Sequence, residues 1–240
     1  MIITYSLQHT LYSQKELTTA KYRYPLKINL ETTYTDRYIC SMKFQPRSEK
    51  TRQFIIESTA DVFNKKGFAG TSLTDLTEAT QLTKGSIYGN FENKEEVAIA
   101  VFEYNIARRS EVINEQVKGA VTYKDKLMAY ATAFSKQAKT MCAKGGCPYL
   151  NTGTEADDTN EILRKHVADA LLKWKQCIVS IINKGKEAGE FKEDTDASKT
   201  AVALIALIEG GIFMTKVIKS TTYIDIATDT AKNIVSSIST

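Results

Sequence analysis

The chain has 240 residues, of which 42% are hydrophobic and 25% charged, a composition typical of a soluble globular protein with one or two domains. The formal net charge is only +4, and residues 43–98 carry eight basic and eight acidic side chains, so net charge by itself does not indicate a nucleic-acid partner. The four cysteines lack the compact spacing of a disulfide framework and favour a reducing cytoplasm.

Residues 1–42 differ from the rest of the chain. They hold six of the twelve tyrosines and show no helical periodicity, and helical patterning begins after Met42. The segment lacks the basic start and the continuous apolar stretch of a secretory signal. Two interpretations stay open: a poorly ordered extension or over-long start before Met42, which we favour, and an arm that contacts DNA or a partner.

Three short helices are predicted between residues 48 and 91. The first covers 48–66 and ends at Gly67, because apolar side chains recur there at helical spacing. Ser72, with Asp75 three residues later, forms a capping signature for a second helix, and Thr83 caps a third. These are the dimensions of a helix-turn-helix unit, whose last helix is short enough to lie in a major groove.

The predicted third helix has the sequence TKGSIYGNF from residue 83 and carries groups that suit DNA. Its free N–H groups and its dipole favour a phosphate at the N-terminus. Lys84 can reach a phosphate or a guanine edge, and the hydroxyl of Tyr88, one turn later, can bond a phosphate. Ile87 and Phe91 fall on the opposite, apolar side and are predicted to pack inside the unit.

Helical patterning continues to the end of the chain. A capping signature at Asn93 precedes a predicted helix from 94 to about 117. A second signature at Thr122 precedes a predicted helix that ends near Cys142. Residues 144–158 are predicted as a loop with room for one helical turn, and Asp158 is predicted to cap the next helix. The predicted helices that follow end at Gly189, at about residue 219 and at about residue 238.

The most apolar stretch, Ala201–Met214, is interrupted by Glu209 and is shorter than the roughly 20 residues that cross a bilayer, so no membrane span is predicted. No strand-rich segment is predicted after residue 42. The expected fold class is therefore all-α, with a three-helix helix-turn-helix domain followed by a larger helical domain.

Residues 47–97 resemble the tetracycline-repressor (TetR) family. The string is RSEKTRQFIIESTADVFNKKGFAGTSLTDLTEATQLTKGSIYGNFENKEEV, and its specific marks are the basic start, Gly67-Phe68, Thr71-Ser72 and the run from Lys84 to Tyr88. The resemblance implies a DNA-binding domain over 43–93 and a ligand-binding and dimerisation domain over 94–240. It also implies repression of transcription that a small molecule relieves.

The resemblance also implies which residues contact DNA. With the basic cluster at the start of the unit, the set is Arg47, Thr71, Ser72, Thr83, Lys84, Gly85, Tyr88, Asn90 and Lys94. The chain departs from the family at two positions: Gln81 replaces a glycine that is frequent in the turn, and Gly89 replaces a larger side chain. A left-handed Gln81 would cost about 1 kcal/mol.

The helices on either side of Gly189 are predicted to form a homodimer interface, in which the Gly210-Gly211 pair lets another helix approach closely. The alternative is that they are the core of a monomer. A dimer places two recognition helices roughly 34–36 Å apart, which predicts a palindromic double-stranded operator. The predicted interface residues are Trp174, Ile178, Ile181, Ile205, Ile208, Ile212 and Phe213.

A small-molecule effector of unknown identity is implied by the resemblance, with its pocket among the helices of the second domain. The candidate wall residues are Phe102, Tyr104, Phe134, Met141, Cys147, Tyr149, Asn151 and Trp174. Each of them is also explained as ordinary core. No cofactor is expected.

The cysteines and His166 raise the alternatives of a metal site, a thiol switch and a hydrolase. The spacing of Cys142, Cys147 and His166 is not that of a zinc site. No basic cluster lies near the cysteines in the sequence to lower a thiol pKa, so a thiol switch is not indicated either. Reduced structural cysteines are therefore expected. A hydrolase with Cys147 as nucleophile and His166 as base lacks an evident orienting acid. A helical dimer that binds only proteins is the other alternative, and the TKGSIY string argues against it. We expect a non-enzymatic, cytoplasmic regulator.

Overall fold

The computed structural model describes residues 47–240, with side chains from Ser48 onward. The expectations for residues 1–42 and for the side chain of Arg47 lie outside the described residues. Within 47–240 the chain forms nine helices: α1 (Arg47–Gly70), α2 (Leu73–Thr80), α3 (Lys84–Tyr88), α4 (Lys94–Val117), α5 (Tyr123–Ala143), α6 (Pro148–Ala156), α7 (Glu161–Glu187), α8 (Ala197–Ile218) and α9 (Thr222–Ile238). The all-α prediction is confirmed.

The helices begin largely where the sequence predicts. The side chains of Ser72, Thr83, Asn93 and Thr122 each accept a hydrogen bond from the backbone N–H three residues later, at the starts of α2, α3, α4 and α5. The first helix breaks at Gly67, where φ is 74° and ψ is 179°, and then continues to Gly70.

The segment predicted as a loop after α5 contains a nine-residue helix instead, α6. Pro148 occupies its first turn, where the missing N–H costs nothing and the fixed φ favours a helix. Gly145 and Gly146, at φ 105° and 92°, reverse the chain before it. The prediction that Asp158 caps α7 is also wrong: the cap is Asn160, whose Oδ1 accepts a hydrogen bond from the N–H of Leu163 at 2.8 Å.

Two apolar cores share α4. The first two turns of α4 pack with α1, α2 and α3 around Ile55, Leu76 and Ile87. The rest of α4 packs with α5, α7, α8 and α9 in a larger core that includes Phe134 and Ile182. The predicted burial of Ile87 and Phe91 is confirmed, since their exposed fractions are 0% and 2%.

Helix α8 is long and apolar enough, by length and composition alone, to cross a membrane: it has 22 residues, and its most apolar 18-residue stretch has a mean hydropathy of 2.0. Its apolar character has a different explanation in the fold. One side packs in the larger core through residues such as Leu204 and Ile208, and the opposite side leaves apolar residues exposed. The exposed set, which we call the α8 face, is Val202, Phe213, Met214, Val217 and Ile218.

The predicted dimer interface needs correction for three residues. Ile178, Ile208 and Ile212 are each 1% exposed because they fill the core of their own protomer, so they cannot contact a second one. The close approach at the glycine pair is also internal, since a Cβ on Gly211 would come within 2.6 Å of Ala227 on α9. Trp174, Ile181 and Ile205 are partly buried against the core, whereas Phe213 is 53% exposed.

Candidate nucleic-acid interface

The start of α2 is held by a capping box. Ser72 Oγ accepts from the N–H of Asp75 at 3.1 Å, and the Asp75 carboxylate accepts from the N–H of Ser72 at 2.8 Å. Lys66 also binds Asp75, at 2.5 Å, and together these hydrogen bonds lower the pKa of Asp75 to about 2. Ser72 itself stays exposed, so it is presented at the surface next to the turn.

The turn between α2 and α3 depends on Gln81, which takes the left-handed conformation at φ 56° and ψ 23°. Its N–H donates to Thr77 O at 2.8 Å, and Thr80 Oγ1 accepts from the N–H of Leu82 at 3.2 Å. Gln81 therefore adopts a conformation that costs a non-glycine residue about 1 kcal/mol, and the surrounding hydrogen bonds offset this strain.

Helix α3 is fixed from behind. Ile87 is fully buried, and the guanidinium of Arg52 on α1 lies 3.9 Å from the ring centroid of Phe91. Arg52 also donates to Asn90 O at 2.8 Å and pairs with Glu96 at 2.9 Å. These contacts set the position of α3 without using its outer side.

The outer side of α3 presents its N-terminus to solvent. Thr83, Lys84 and Gly85 are exposed, and Tyr88 is half-buried. Among the described residues, no carboxylate pairs with Lys84, so its charge is available to a ligand. Asn90 is half-buried, and its Nδ2 donates to Ser86 O at 2.8 Å.

Two predicted DNA contacts have structural roles instead. Thr71 is 0% exposed, and its hydroxyl donates to Gly67 O at 2.6 Å. The ammonium of Lys94 donates to Phe68 O at 2.8 Å and to Thr71 O at 3.0 Å, and it lies 4.3 Å from the ring centroid of Phe68. Lys94 therefore satisfies carbonyls at the end of α1 rather than a phosphate.

Helix α6 and the turn before it hold the same end of α1. Glu155 accepts from the N–H groups of Phe68 and Ala69 at 2.7 and 2.8 Å. Asn151 Nδ2 donates to the backbone O of Asn64 at 2.9 Å and to its Oδ1 at 3.2 Å, and Asn64 Nδ2 donates to Lys144 O at 2.7 Å. Sequence reasoning did not predict that Glu155 and Asn64 join α1 to α6, and neither residue carries a local signal of it, since their partners are 80 or more residues away.

Three aromatic residues of the predicted ligand set surround a buried cation that sequence reasoning missed, and a fourth packs on one of them. The guanidinium of Arg109 lies 4.4 to 5.2 Å from the ring centroids of Trp174, Phe134 and Tyr149, and Tyr149 packs on Phe102. Arg109 pairs with Glu209 at 3.0 Å. A carboxylate within the apolar stretch of α8 was a signal that such a cation must exist, because a buried charge needs a partner.

The same centre includes Cys147. Arg109 donates to its Sγ at 2.7 Å, and the thiol donates to Glu209 Oε1 at 3.0 Å. Burial raises the pKa of Cys147 to about 12 even though Arg109 opposes the shift. His166 instead lies 3.3 Å from Glu103. The Cys147–His166 pair of the hydrolase alternative is therefore not assembled, and a thiol with so high a pKa is a poor nucleophile.

The remaining predicted ligand residues are dispersed. Tyr104 packs against the smaller core, away from Phe102, and Met141 lies at the border of the larger one. Cys147 and Asn151 line a separate cavity between α6 and α8, with a volume of about 150 Å³. The predicted pocket thus divides into a filled aromatic centre around Arg109 and an open cavity beside it.

Two family models match the chain. The one described as "Bacterial regulatory proteins, tetR family" matches residues 55–101, and the one described as "Tetracyclin repressor-like, C-terminal domain" matches residues 124–231. The chain is 26% identical over 167 residues to the HTH-type transcriptional repressor DhaR of Mycobacterium sp. (strain GP1), a match that covers 69% of this chain and 82% of DhaR.

Solved structures agree over most of the chain. A TetR-family transcriptional regulator from Cytophaga hutchinsonii is 50% identical, with a TM-score of 0.78, and the match covers 82% of this chain and 98% of that one. A TetR transcriptional regulator from Chloroflexus aurantiacus is 31% identical, with a TM-score of 0.75, and the match covers 80% and 97% of the two chains.

Proposed function

The chain belongs to the TetR family of transcriptional regulators, and from this premise we propose how its parts act. The protein is a ligand-responsive transcriptional regulator. We propose that residues 43–93 are its DNA-binding domain, that residues 94–240 bind ligand and form a dimer, and that it acts as a repressor in the cytoplasm without catalysis. The observation that carries the proposal is α3, packed from behind by Ile87 and exposed at Lys84.

The DNA contacts that we propose come from the exposed end of α3 and the start of α2. Lys84 and the N–H groups at the helix start provide positive charge for phosphate or for a guanine edge. We leave out Thr71 because it is fully buried, and Lys94 because two backbone carbonyls and the ring of Phe68 hold its ammonium at the end of α1. The proposed set is Ser72, Thr83, Lys84, Gly85, Tyr88 and Asn90. Arg47 is kept in the set on the sequence prediction alone, because the structure does not describe its side chain.

We place the homodimer contact on the α8 face. Phe213 and Val217 are 53% and 61% exposed, and an apolar strip of this kind on a long helix marks an interaction surface. A two-fold axis at this face relates the α3 helices of the two protomers by symmetry. Such a dimer favours a palindromic operator whose half-sites lie one helical turn of DNA apart.

Effector control requires a connection between the two cores, and the hydrogen bonds of α6 to α1 supply one. Movement of α6 on effector binding would act on α1 through Asn64 and Phe68. A coupling free energy of about 1–3 kcal/mol suffices for a 5–150-fold change in operator affinity.

Selection of bound DNA from a random library tests the proposal. We expect enrichment of an inverted repeat and a steep loss of affinity with salt. Lys84→Ala should weaken binding to the selected site, whereas Lys139→Ala, which removes an exposed lysine on α5, should not. Failure to enrich any sequence, or equal binding by both variants and the parent, would contradict the proposed function.

A further inference from the structure

The cavity between α6 and α8 lies beside the Arg109 centre but is separate from it. Cys147 forms part of the wall between them, and Arg109 is not among the residues that line the cavity. Its volume of about 150 Å³ is comparable to a protein cavity that holds benzene. The lining residues that matter here are Leu150, Asn151, Ile212, Phe213, Lys216 and Val217.

The cavity combines apolar walls with one ammonium group. Leu150, Ile212, Phe213 and Val217 provide the apolar surface, and Lys216 provides the charge. In the described part of the chain no carboxylate forms an ion pair with Lys216, whose ammonium donates a hydrogen bond at 3.3 Å to the neutral amide oxygen of Asn151. A half-buried ammonium without a counter-ion favours an anionic ligand.

The position of Lys216 is built into the fold. Its stem crosses Gly146, where φ is 92° and where an added Cβ would come within 2.9 Å of Lys216 Cδ. The glycine thus keeps open the space in which the stem lies, and the ammonium is held at the cavity rather than left free on the surface.

Lys216 is also two hydrogen bonds from the DNA-binding core. It donates to Asn151 Oδ1, and Asn151 Nδ2 donates to Asn64 on α1 and to Gly145 O at 2.7 Å. An anion that draws the ammonium away from Asn151 removes one of the contacts that orient this amide. Asn64 would then lose a fixed partner at the end of α1.

We propose that this cavity is the effector site and that it takes a small carboxylate of about benzene size, paired with Lys216 and with its apolar part against Leu150 and Ile212. This inference rests on the proposed effector control of the protein. Asn151 is the positioning residue that passes occupancy of the cavity to α1. The alternative occupant is a side chain of a second copy docked on the α8 face, since Phe213 and Val217 lie at the cavity and are exposed.

Calorimetry with benzoate and hexanoate as probes tests the ligand class, with benzyl alcohol and hexanol as uncharged counterparts. We expect a carboxylate to bind at least tenfold more tightly than its alcohol, and Lys216→Met to remove that difference. Lys139→Met is the matched control and should keep it. The inference is overturned if neither carboxylate binds, if acids and alcohols bind alike, or if Lys216→Met binds the carboxylates like the parent.

The proposed role of Asn151, which is to pass occupancy of the cavity to α1, is tested by measuring operator binding with and without the carboxylate. We expect the bound carboxylate to lower the operator affinity of the parent at least fivefold, and Asn151→Ala to bind the probe while losing most of this response. Met214 lies on the α8 face but not among the residues that line the cavity, so Met214→Glu can separate the dimer without adding a carboxylate beside Lys216. Binding of the probes only by a monomeric Met214→Glu variant would overturn the inference in favour of a second copy in the cavity.

The two levels of proposal fail separately. A protein that binds its selected operator but no carboxylate contradicts the cavity inference and leaves the regulator intact. A protein that binds no DNA contradicts the proposed function, and calorimetry on the protein alone still decides whether the cavity binds a carboxylate.

Discussion

Glu155 on α6 accepts a hydrogen bond from the backbone N–H of Phe68 on α1 at 2.7 Å, across 87 residues of sequence. The contact is made where α1 breaks at Gly67, so that two N–H groups of the last turn point toward the carboxylate. One acidic side chain therefore ties the end of α1, in the proposed DNA-binding domain, to α6, in the proposed effector domain.

Substitution of Gly67 should destabilise the fold. Its φ of 74° and ψ of 179° lie in a region that is essentially restricted to glycine, and an added Cβ would come within 2.7 Å of Glu155 Cδ. We expect Gly67→Ala to lower the free energy of unfolding by about 1–3 kcal/mol in urea titration. Gly70→Ala, which meets only Lys66 at 3.6 Å, is the control and should be nearly neutral. Equal stability of the two variants would refute the strain.

Lys84 is expected to act through phosphate or base contact, not through stability. Lys84→Ala should leave the thermal midpoint unchanged, since its side chain is exposed. If it contacts phosphate, the slope of log K against log salt should fall by about 0.9 per half-site. Fluorescence anisotropy at several salt concentrations measures both affinity and slope, and an unchanged affinity would rule out the contact.

Lys94 should show the opposite pattern. Lys94→Met keeps the stem but leaves the carbonyls of Phe68 and Thr71 without their charged donor. The expected loss is about 1–3 kcal/mol in the free energy of unfolding, with the salt slope of DNA binding retained. A reduced slope without loss of stability would restore Lys94 to the DNA interface.

The α8 face predicts the oligomeric state. Phe213→Glu places a charge in the proposed contact, and we expect the dimer dissociation constant to rise at least about 30-fold, the effect of losing roughly 2 kcal/mol. Analytical ultracentrifugation measures it. Leu172→Glu on α7 is a matched control, because Leu172 is 63% exposed and lies outside the α8 face. If Leu172→Glu dissociates the dimer and Phe213→Glu does not, the interface lies on α7 rather than on the α8 face.

Cys147 should resist alkylation in the folded protein. With a pKa of about 12, only about one thiol in ten thousand is ionised at pH 8, and the thiolate fraction rises tenfold for each pH unit up to that value. We expect iodoacetamide to modify Cys147 at least tenfold more slowly than the half-buried Cys142, as read by peptide mass spectrometry. In urea the two should react alike. Preferential labelling of folded Cys147 would revive a reactive-thiol role.

The sequence by itself determined what depends on near neighbours in the chain. The caps at Ser72, Thr83 and Asn93 satisfy N–H groups three residues away, and Ile87 falls inside because apolar spacing marks one face of a short helix. Local hydrogen bonds and a 3.6-residue period are sufficient for such features.

Only the tertiary structure decided which faces are covered. Helix α8 is apolar nearly all round, so no period in its sequence separates the buried Ile208 from the exposed Phe213. From the sequence, Lys94 is predicted to bind phosphate. In the folded protein its ammonium donates instead to the carbonyls of Phe68 and Thr71 at the end of α1. The partners of Arg109 and Glu155 likewise come from distant segments. Such contacts form only when the helices pack. Because the two groups are far apart in the sequence, no local pattern of residues predicts that they will meet.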